Sequence, residues 1–283
     1  MDRRVLHTTS CEDIVESISN ICSCSEAAIN NYLKHSRPFR NTFATDIKLN
    51  PFFTAIGIKF SGNNELFEAI KFDSCIISHL TTRTSPPDES DIYCLIKVLS
   101  KSTDISRFLA SKGITFKETG QGLITYYNGD IVDWNSFNRI YTARIRKRLR
   151  KRGKYIDNCI NGFLFNHLFW KDANVEHIKY CPEIVTDICD VLNRQDAIRE
   201  WGSISKSYAL GFMADVNDII FDKHAQFKMT KSKIYLIYKF VIYYLVQMYH
   251  GAWEPRFDNP MIRLKDNSSV GKENIVGFYE IER

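Results

Sequence analysis

Residues 234–249 read IYLIYKFVIYYLVQMY, sixteen positions with Lys239 as the sole charge. A stretch this apolar, whether helix or strand, has to be covered on all sides by the rest of the chain. It is shorter than the roughly 20 residues a membrane-spanning helix needs. Lys239 interrupts it, and its five tyrosine hydroxyls would lack hydrogen-bond partners in lipid. The segment predicts a buried core helix or a pair of buried strands, with no membrane association. The remaining chain is large enough to supply that cover. With 283 residues, 44% of them hydrophobic and 25% charged, the composition is that of an ordinary globular protein. Disorder, collagen and simple coiled coil are excluded, and one large domain or two modest ones fit the length.

Elsewhere short helical and strand patterns mix. Ser10 caps a helix over residues 12–21, and Ser25 caps one over 25–35. Residues 4–8, 52–60, 74–81, 208–213 and 275–281 have the Ile, Phe, Thr and Tyr content of strands. Residues 114–117 and 122–127 form a hairpin around Thr119-Gly120-Gln121, and Asn128-Gly129-Asp130 is a further turn. Helical spacing covers 90–99, 104–111, 134–155 and a segment from Pro182 to Leu192. Without a strict strand–helix–strand rhythm, the expected fold class is α+β, one main body with a smaller lobe. A loose division gives an N-terminal α+β region over 1–133 and a helix-rich region with a final strand over 134–283.

Eight cysteines show no metal or redox spacing, and most lie in apolar stretches. The first residues, Met1-Asp2-Arg3-Arg4-Val5-Leu6-His7, lack the apolar core of a signal peptide. Reduced thiols in a cytoplasmic protein are the expectation.

The net charge of +5 is a local property. Residues 144–154 hold eight cations, and without them the chain carries −3. Such a cluster needs acidic neighbours, a polyanion or open solvent. Arg144, Arg146, Lys147, Arg148, Arg150, Lys151 and Arg152 are therefore candidates for binding nucleic acid or an acidic partner. Residues 171–222 carry ten acids against five bases, so an internal or subunit-to-subunit partner is a further candidate. Within that stretch Glu183, Asp187 and Asp190 share a helix face, expected to be solvated.

The chain has no GxGxxG, no Walker loop, no HExxH and no GxSxG, and its seven histidines show no metal spacing. Cys159 and Cys181 read as structural thiols rather than partners of His167 or His177. Three separate segments carry a different pattern. Val5-Leu6-His7-Thr8-Thr9-Ser10 is a β-like run with a His-x-Thr core. Ile76-Ile77-Ser78-His79-Leu80-Thr81-Thr82-Arg83 is a strand ending in hydroxyl residues and an arginine. Phe278-Tyr279-Glu280-Ile281-Glu282-Arg283 ends a strand with Glu-x-Glu.

Taken together these segments, a few residues each, resemble the ADP-ribosyltransferase superfamily. The resemblance implies an enzyme that uses NAD to modify an intracellular macromolecule, in a setting of conflict between bacteria and phages. His7 would orient NAD and Thr9 would hold a ribose, since i and i+2 of a strand share a face. Ser78 and Thr81 would support the site, with His79 competing for the role of His7. Arg83 would meet a diphosphate oxygen, and Glu280 or Glu282 would stabilise the oxocarbenium-like charge as the nicotinamide–ribose bond opens.

A non-enzymatic class competes. Trp134, Trp170, Trp201 and Trp253 sit beside polar residues and are interface candidates, with core packing preferred for at least two. In this reading the chain resembles phage-type inhibitors that block an immune nuclease complex, such as proteins opposing Gabija-type defence. A protein partner, nucleic acid at the basic segment, and self-association into a homo-oligomer are the partner expectations.

Overall fold

The computed structural model describes residues 3–151 and 157–283. It is an α+β fold, 42% helical and 21% strand. The chain starts with β1 (Val5–Leu6), α1 (Cys11–Cys22) and α2 (Glu26–His35). Both helices are capped as their sequences require: Ser10 accepts from the Asp13 amide and Ser25 from the Ala28 amide. Next come α3 (Leu49–Ala55) and α4 (Asn63–Ile70). Residues 52–60, expected as a strand, are helical in α3 as far as Ala55 and form no strand beyond it. Pro51 falls in the first turn of α3, where its missing N–H costs nothing. Phe52 and Phe53 are both fully buried, which suits the broad inner side of a helix rather than an alternating strand.

The long β2 (Ser74–Arg83) leads to β3 (Ile92–Tyr93), α5 (Leu95–Ser100) and α6 (Asp104–Ser111). The expected hairpin is present as β4 (Ile114–Glu118) and β5 (Leu123–Tyr127), paired antiparallel from Ile114↔Tyr127 to Glu118↔Leu123. It extends through a turn with Asn128 and Gly129 at positive φ to β6 (Asp130–Ile131). Then follow α7 (Thr142–Arg148), β7 (Asn161–Phe163), α8 (Glu183–Val191), α9 (Gln195–Ile204), β8 (Lys206–Asp215) and β9 (Ile219–Phe221). The chain ends with α10 (Thr230–Tyr249), β10 (Met261–Leu264), β11 (Ser269–Val270) and β12 (Ile275–Ile281).

Of the helix expected over 134–155, residues 152–155 lie outside the described residues, and in 134–151 the α-helix is α7. Crowded like charges disfavour a longer helix, and Leu149 and Arg150 leave it to bridge the β4–β5 hairpin at Gly122↔Arg150.

Two compact units of similar size share the chain in alternating pieces. Unit 1 is Met1–Ser78, Gly162–Asp172 and Gly211–Ile262; unit 2 is His79–Asn161, Ala173–Leu210 and Arg263–Arg283. Residue 133 therefore lies inside unit 2.

In unit 1 the helix alternative for 234–249 is the one adopted. α10 is buried from Ile234 to Gln247 at most positions. Its polar groups find the partners that burial demands. Tyr238 donates its hydroxyl to the Ile70 carbonyl at 2.9 Å and Tyr235 to that of Asn63 at 2.7 Å. Lys239 reaches the Thr45 carbonyl, and Gln247 accepts from the Phe39 amide at 2.9 Å. The unit 1 strand order is β8–β2–β7–β10–β9, with β1 parallel to the start of β2 (Val5↔Ser74, Leu6↔Cys75).

In unit 2 the order is β12–β8–β2. The fully buried Trp201 of α9 donates its indole N–H to Thr82 Oγ1 at 3.0 Å. Around Trp201 a core gathers Phe108 and Leu109 of α6, Ile145 of α7 and Val185 and Ile188 of α8. Trp134 is also buried, so two of the four tryptophans are core residues.

Candidate functional site

The unit 2 portion of β2 has Leu80 and Thr82 buried and His79, Thr81 and Arg83 half-buried. This is the two-residue period of a strand. His79, Thr81 and Arg83 line a cleft of about 350 Å³. Its other wall comes from 85–93 and from the start of α6, where Thr103 and Ser106 form a capping box that fixes Asp104 as the first helical residue.

Asp104 organises that wall. Its carboxylate accepts from the Thr84 and Ser85 amides at 2.9 and 3.1 Å and from the Ser85 hydroxyl at 3.0 Å, and it pairs with Arg107 at 2.6 Å. Burial opposes ionisation, but the hydrogen bonds from Thr84 and Ser85 hold its pKa below the usual carboxylate range. Arg83 donates to Ser90 Oγ at 2.8 Å and to the Pro87 carbonyl at 3.4 Å. Burial lowers its pKa and the Asp104 charge counters this. Tyr93 donates its hydroxyl to Asp91 at 3.0 Å.

His79 keeps part of its surface open to the cleft, yet its surroundings strip most of its water. Burial pushes its imidazole down to about 4; the hydrogen bond to Asn161 opposes this and the Arg83 charge adds to it. Nδ1 lies 2.6 Å from the Asn161 carbonyl, which can only accept. The ring is thus a neutral tautomer with its proton on Nδ1. A titratable group displaced by burial inside a cleft marks a functional-site candidate.

The residues of the transferase resemblance fall into both units. In unit 1, β1 ends at Leu6, so His7 and Thr9 do not share a strand face. His7 is exposed and its amide donates to Ser17 Oγ at 3.0 Å; Thr9 donates its hydroxyl to Asp13 at the start of α1. The parallel pairing of β1 with β2, extended by the Thr8 hydroxyl on the Ile76 carbonyl, lays this segment beside the strand that leads to Ser78. Ser78 is buried, and its Oγ has no hydrogen-bond partner among the described residues. In unit 2, Thr81 and Arg83 line the cleft, whereas Glu280 and Glu282 are outside its lining. Glu280 is exposed on β12 and pairs with Lys206 at 2.8 Å.

Much of the basic segment is neutralised within unit 2. Arg144 binds Asp187 through two nitrogens and Glu183 at 2.5 Å. Arg148 pairs with Glu183 at 2.5 Å and with Asp157 at 3.1 Å, and Lys151 pairs with Glu118. Arg146 donates to the Asn135 side chain at 2.6 Å. Lys147 and Arg150 are exposed, and Arg152 lies outside the described residues. The α8 acidic face is not the solvated surface its spacing predicts: Asp187 is 1% exposed at its side chain and receives Arg144.

Burial raises the Cys159 and Cys181 thiols to about 11, which keeps them protonated and unreactive. Among the described residues no three His, Cys, Asp or Glu side chains converge as metal ligands, and no helix is long and apolar enough to cross a membrane. No known family, curated protein or solved structure matches the chain.

Asp104, Arg107, Ser90 and Tyr93 complete the cleft and carry no signal of it in the sequence. They come from a loop and a helix start whose meeting with β2 only the fold decides. His79 is visible in the sequence as a histidine on the hydroxyl-rich strand, but its neutrality arises from packing.

Proposed function

We propose that the unit 2 cleft is the ligand site of this protein and that its ligand is a ribosyl compound. The observation that carries the reading is the neutral, tautomer-fixed His79 beside Thr81 and Arg83 on one cleft wall. Ser85, Ser90, Asp91 and Asp104 add hydroxyls and carboxylates, which suit a polyhydroxylated ligand.

The transferase resemblance makes NAD the first ligand to test. Bound NAD would supply an ADP-ribosyl group at its nicotinamide–ribose bond. The lining fits only part of that molecule. Its two arginines face three carboxylates, Glu89, Asp91 and Asp104. Arg83 is held by Ser90 and Arg107 by Asp104. This favours the ribose and the cationic nicotinamide ring over the diphosphate. Ligand binding thus belongs to the cleft, and a transferase step would add His7, Glu280 and Glu282.

Calorimetric titration with nicotinamide riboside, NAD and ADP-ribose tests it. Wild type is expected to bind nicotinamide riboside and NAD, and Thr81→Val and His79→Gln are expected to weaken both by about tenfold or more. No binding by wild type, or binding indifferent to both substitutions, overturns the proposal. Loss of NAD turnover in the Glu280→Gln, Glu282→Gln double variant is the added expectation of the transferase step. A nucleic-acid role for 144–152 has weaker support, since Arg144, Arg148 and Lys151 already have carboxylate partners.

A further inference from the structure

Unit 1 carries 15 Lys and Arg against 15 Asp and Glu, yet these charges are segregated along the chain. Residues 27–45 and 223–253 hold eight of the cations and no carboxylate. The fold lays the two stretches against each other. Gln247 of α10 accepts from the Phe39 amide at 2.9 Å and donates to its carbonyl at 3.4 Å, and the Phe39 ring stacks on Tyr243 at 5.6 Å. About two turns back along α10, Lys239 donates to the Thr45 carbonyl. Residues 39–45 therefore run antiparallel to the C-terminal half of α10.

Pinning Phe39 fixes the residues on either side of it. Lys34, Arg37, Arg40 and Phe43 follow one another at three-residue intervals and are all exposed, Phe43 at 78%. Among the described residues Lys34, Arg37 and Arg40 make no ion pair. Of the carboxylates on adjoining elements, Asp258 accepts from the Glu254 amide at 2.9 Å and the Tyr243 hydroxyl at 3.4 Å, and Asp46 follows Thr45 in the chain. Like charges held together without partners favour a polyanion.

We infer that residues 34–43 are a docking surface for single-stranded nucleic acid, with Lys34, Arg37 and Arg40 on phosphates and Phe43 stacked on a base. A single strand needs both elements: cations along its backbone and an aromatic face for its bases. A duplex keeps its base faces stacked inside and has no use for Phe43. An acidic protein answers the charges but not the protruding ring. One phenylalanine gives a membrane little apolar area to bury. The surface is independent of the unit 2 cleft and of the basic segment 144–151.

Fluorescence anisotropy of the full chain with labelled oligo(dT) and oligo(U), repeated over a salt series, tests this. Wild type is expected to bind, with a log–log salt slope of about −2, the value for three phosphates on a single strand. Whichever oligonucleotide binds more tightly identifies the strand as DNA or RNA. The double variant Arg37→Gln, Arg40→Gln should bind about tenfold or more weakly with a flatter slope, and Phe43→Ala about fivefold or more weakly with the slope unchanged. Lys147→Gln with Arg150→Gln, at exposed cations of unit 2, should bind as wild type does. Unchanged melting of each variant establishes that folding is not the cause. No binding of either oligonucleotide at about 50 mM salt overturns the inference. So does binding that survives the arginine changes or Phe43→Ala, or that falls only with Lys147 and Arg150. Binding to phosphatidylserine vesicles in place of the oligonucleotides overturns it too.

Discussion

His79 illustrates how one side chain acquires chemistry from its surroundings. Its strand position is plain in the alternation of 74–83; its depressed pKa is not, because burial and Arg83 supply it only after folding. The consequence for stability has a definite sign. The unfolded imidazole titrates near about 6.5, and the folded one near 4. Its contribution is complete above the unfolded value and is lost as pH falls from there toward 4, where the folded state also takes the proton. Urea unfolding should show wild type losing on the order of 2–3 kcal/mol more than His79→Gln between pH 7 and pH 4. Parallel pH profiles for the two proteins would contradict this. Arg144 and Asp187 show a second residue-scale asymmetry. Asp187 is 1% exposed and Arg144 36%. Arg144→Met leaves a buried carboxylate without its partner and should cost about 3 kcal/mol. Asp187→Asn leaves a half-exposed guanidinium still paired with Glu183 and should cost about 1 kcal/mol. Denaturant midpoints in the opposite order would refute the pairing.

At the scale of elements, the sequence is most readable where local chemistry decides. Ser10 and Ser25 cap helices, residues 104–111 form α6, and Asn128-Gly129 turns a hairpin, each through contacts a few residues apart. The all-round apolar pattern of 234–249 leaves helix and strands both open, and the length of α10 with its tyrosine partners settles it as a helix. Reading fails where distant groups override local spacing. Residues 134–155 have helical periodicity, yet Leu149 accepts from the Leu123 amide at 2.8 Å and Lys151 donates to the Gln121 carbonyl at 3.0 Å. Gly122 permits this approach. It has φ +146, and a Cβ there would lie 2.1 Å from the Leu149 oxygen. Gly122→Ala should destabilise the protein by about 1–3 kcal/mol. Hydrogen exchange should accelerate at the Leu123 and Lys151 amides, and unchanged protection at both would show that the bridge does not depend on the glycine.

For the whole molecule, the α+β class follows from irregular alternation of helices and strands, but the partition into units does not. β2 and β8 each begin in one unit and end in the other, so no composition shift or linker marks a boundary. The same interleaving hides the site. Thr81 and Arg83 are legible on their strand, while Asp104, Arg107 and Ser90 join them only through the tertiary course of unit 2. The net charge of +5 likewise says little about partners, since Glu183, Asp187, Asp157 and Glu118 absorb much of the basic segment. Two features of unit 2 stand apart from its core: the hydroxyl-rich cleft and β12, outside which no strand pairs among the described residues. The most direct test of the cleft is titration of nicotinamide riboside into wild type and Thr81→Val. Wild type should bind saturably and the variant about tenfold or more weakly; no binding by wild type, or equal affinity in both, would rule out the cleft as the ribosyl site.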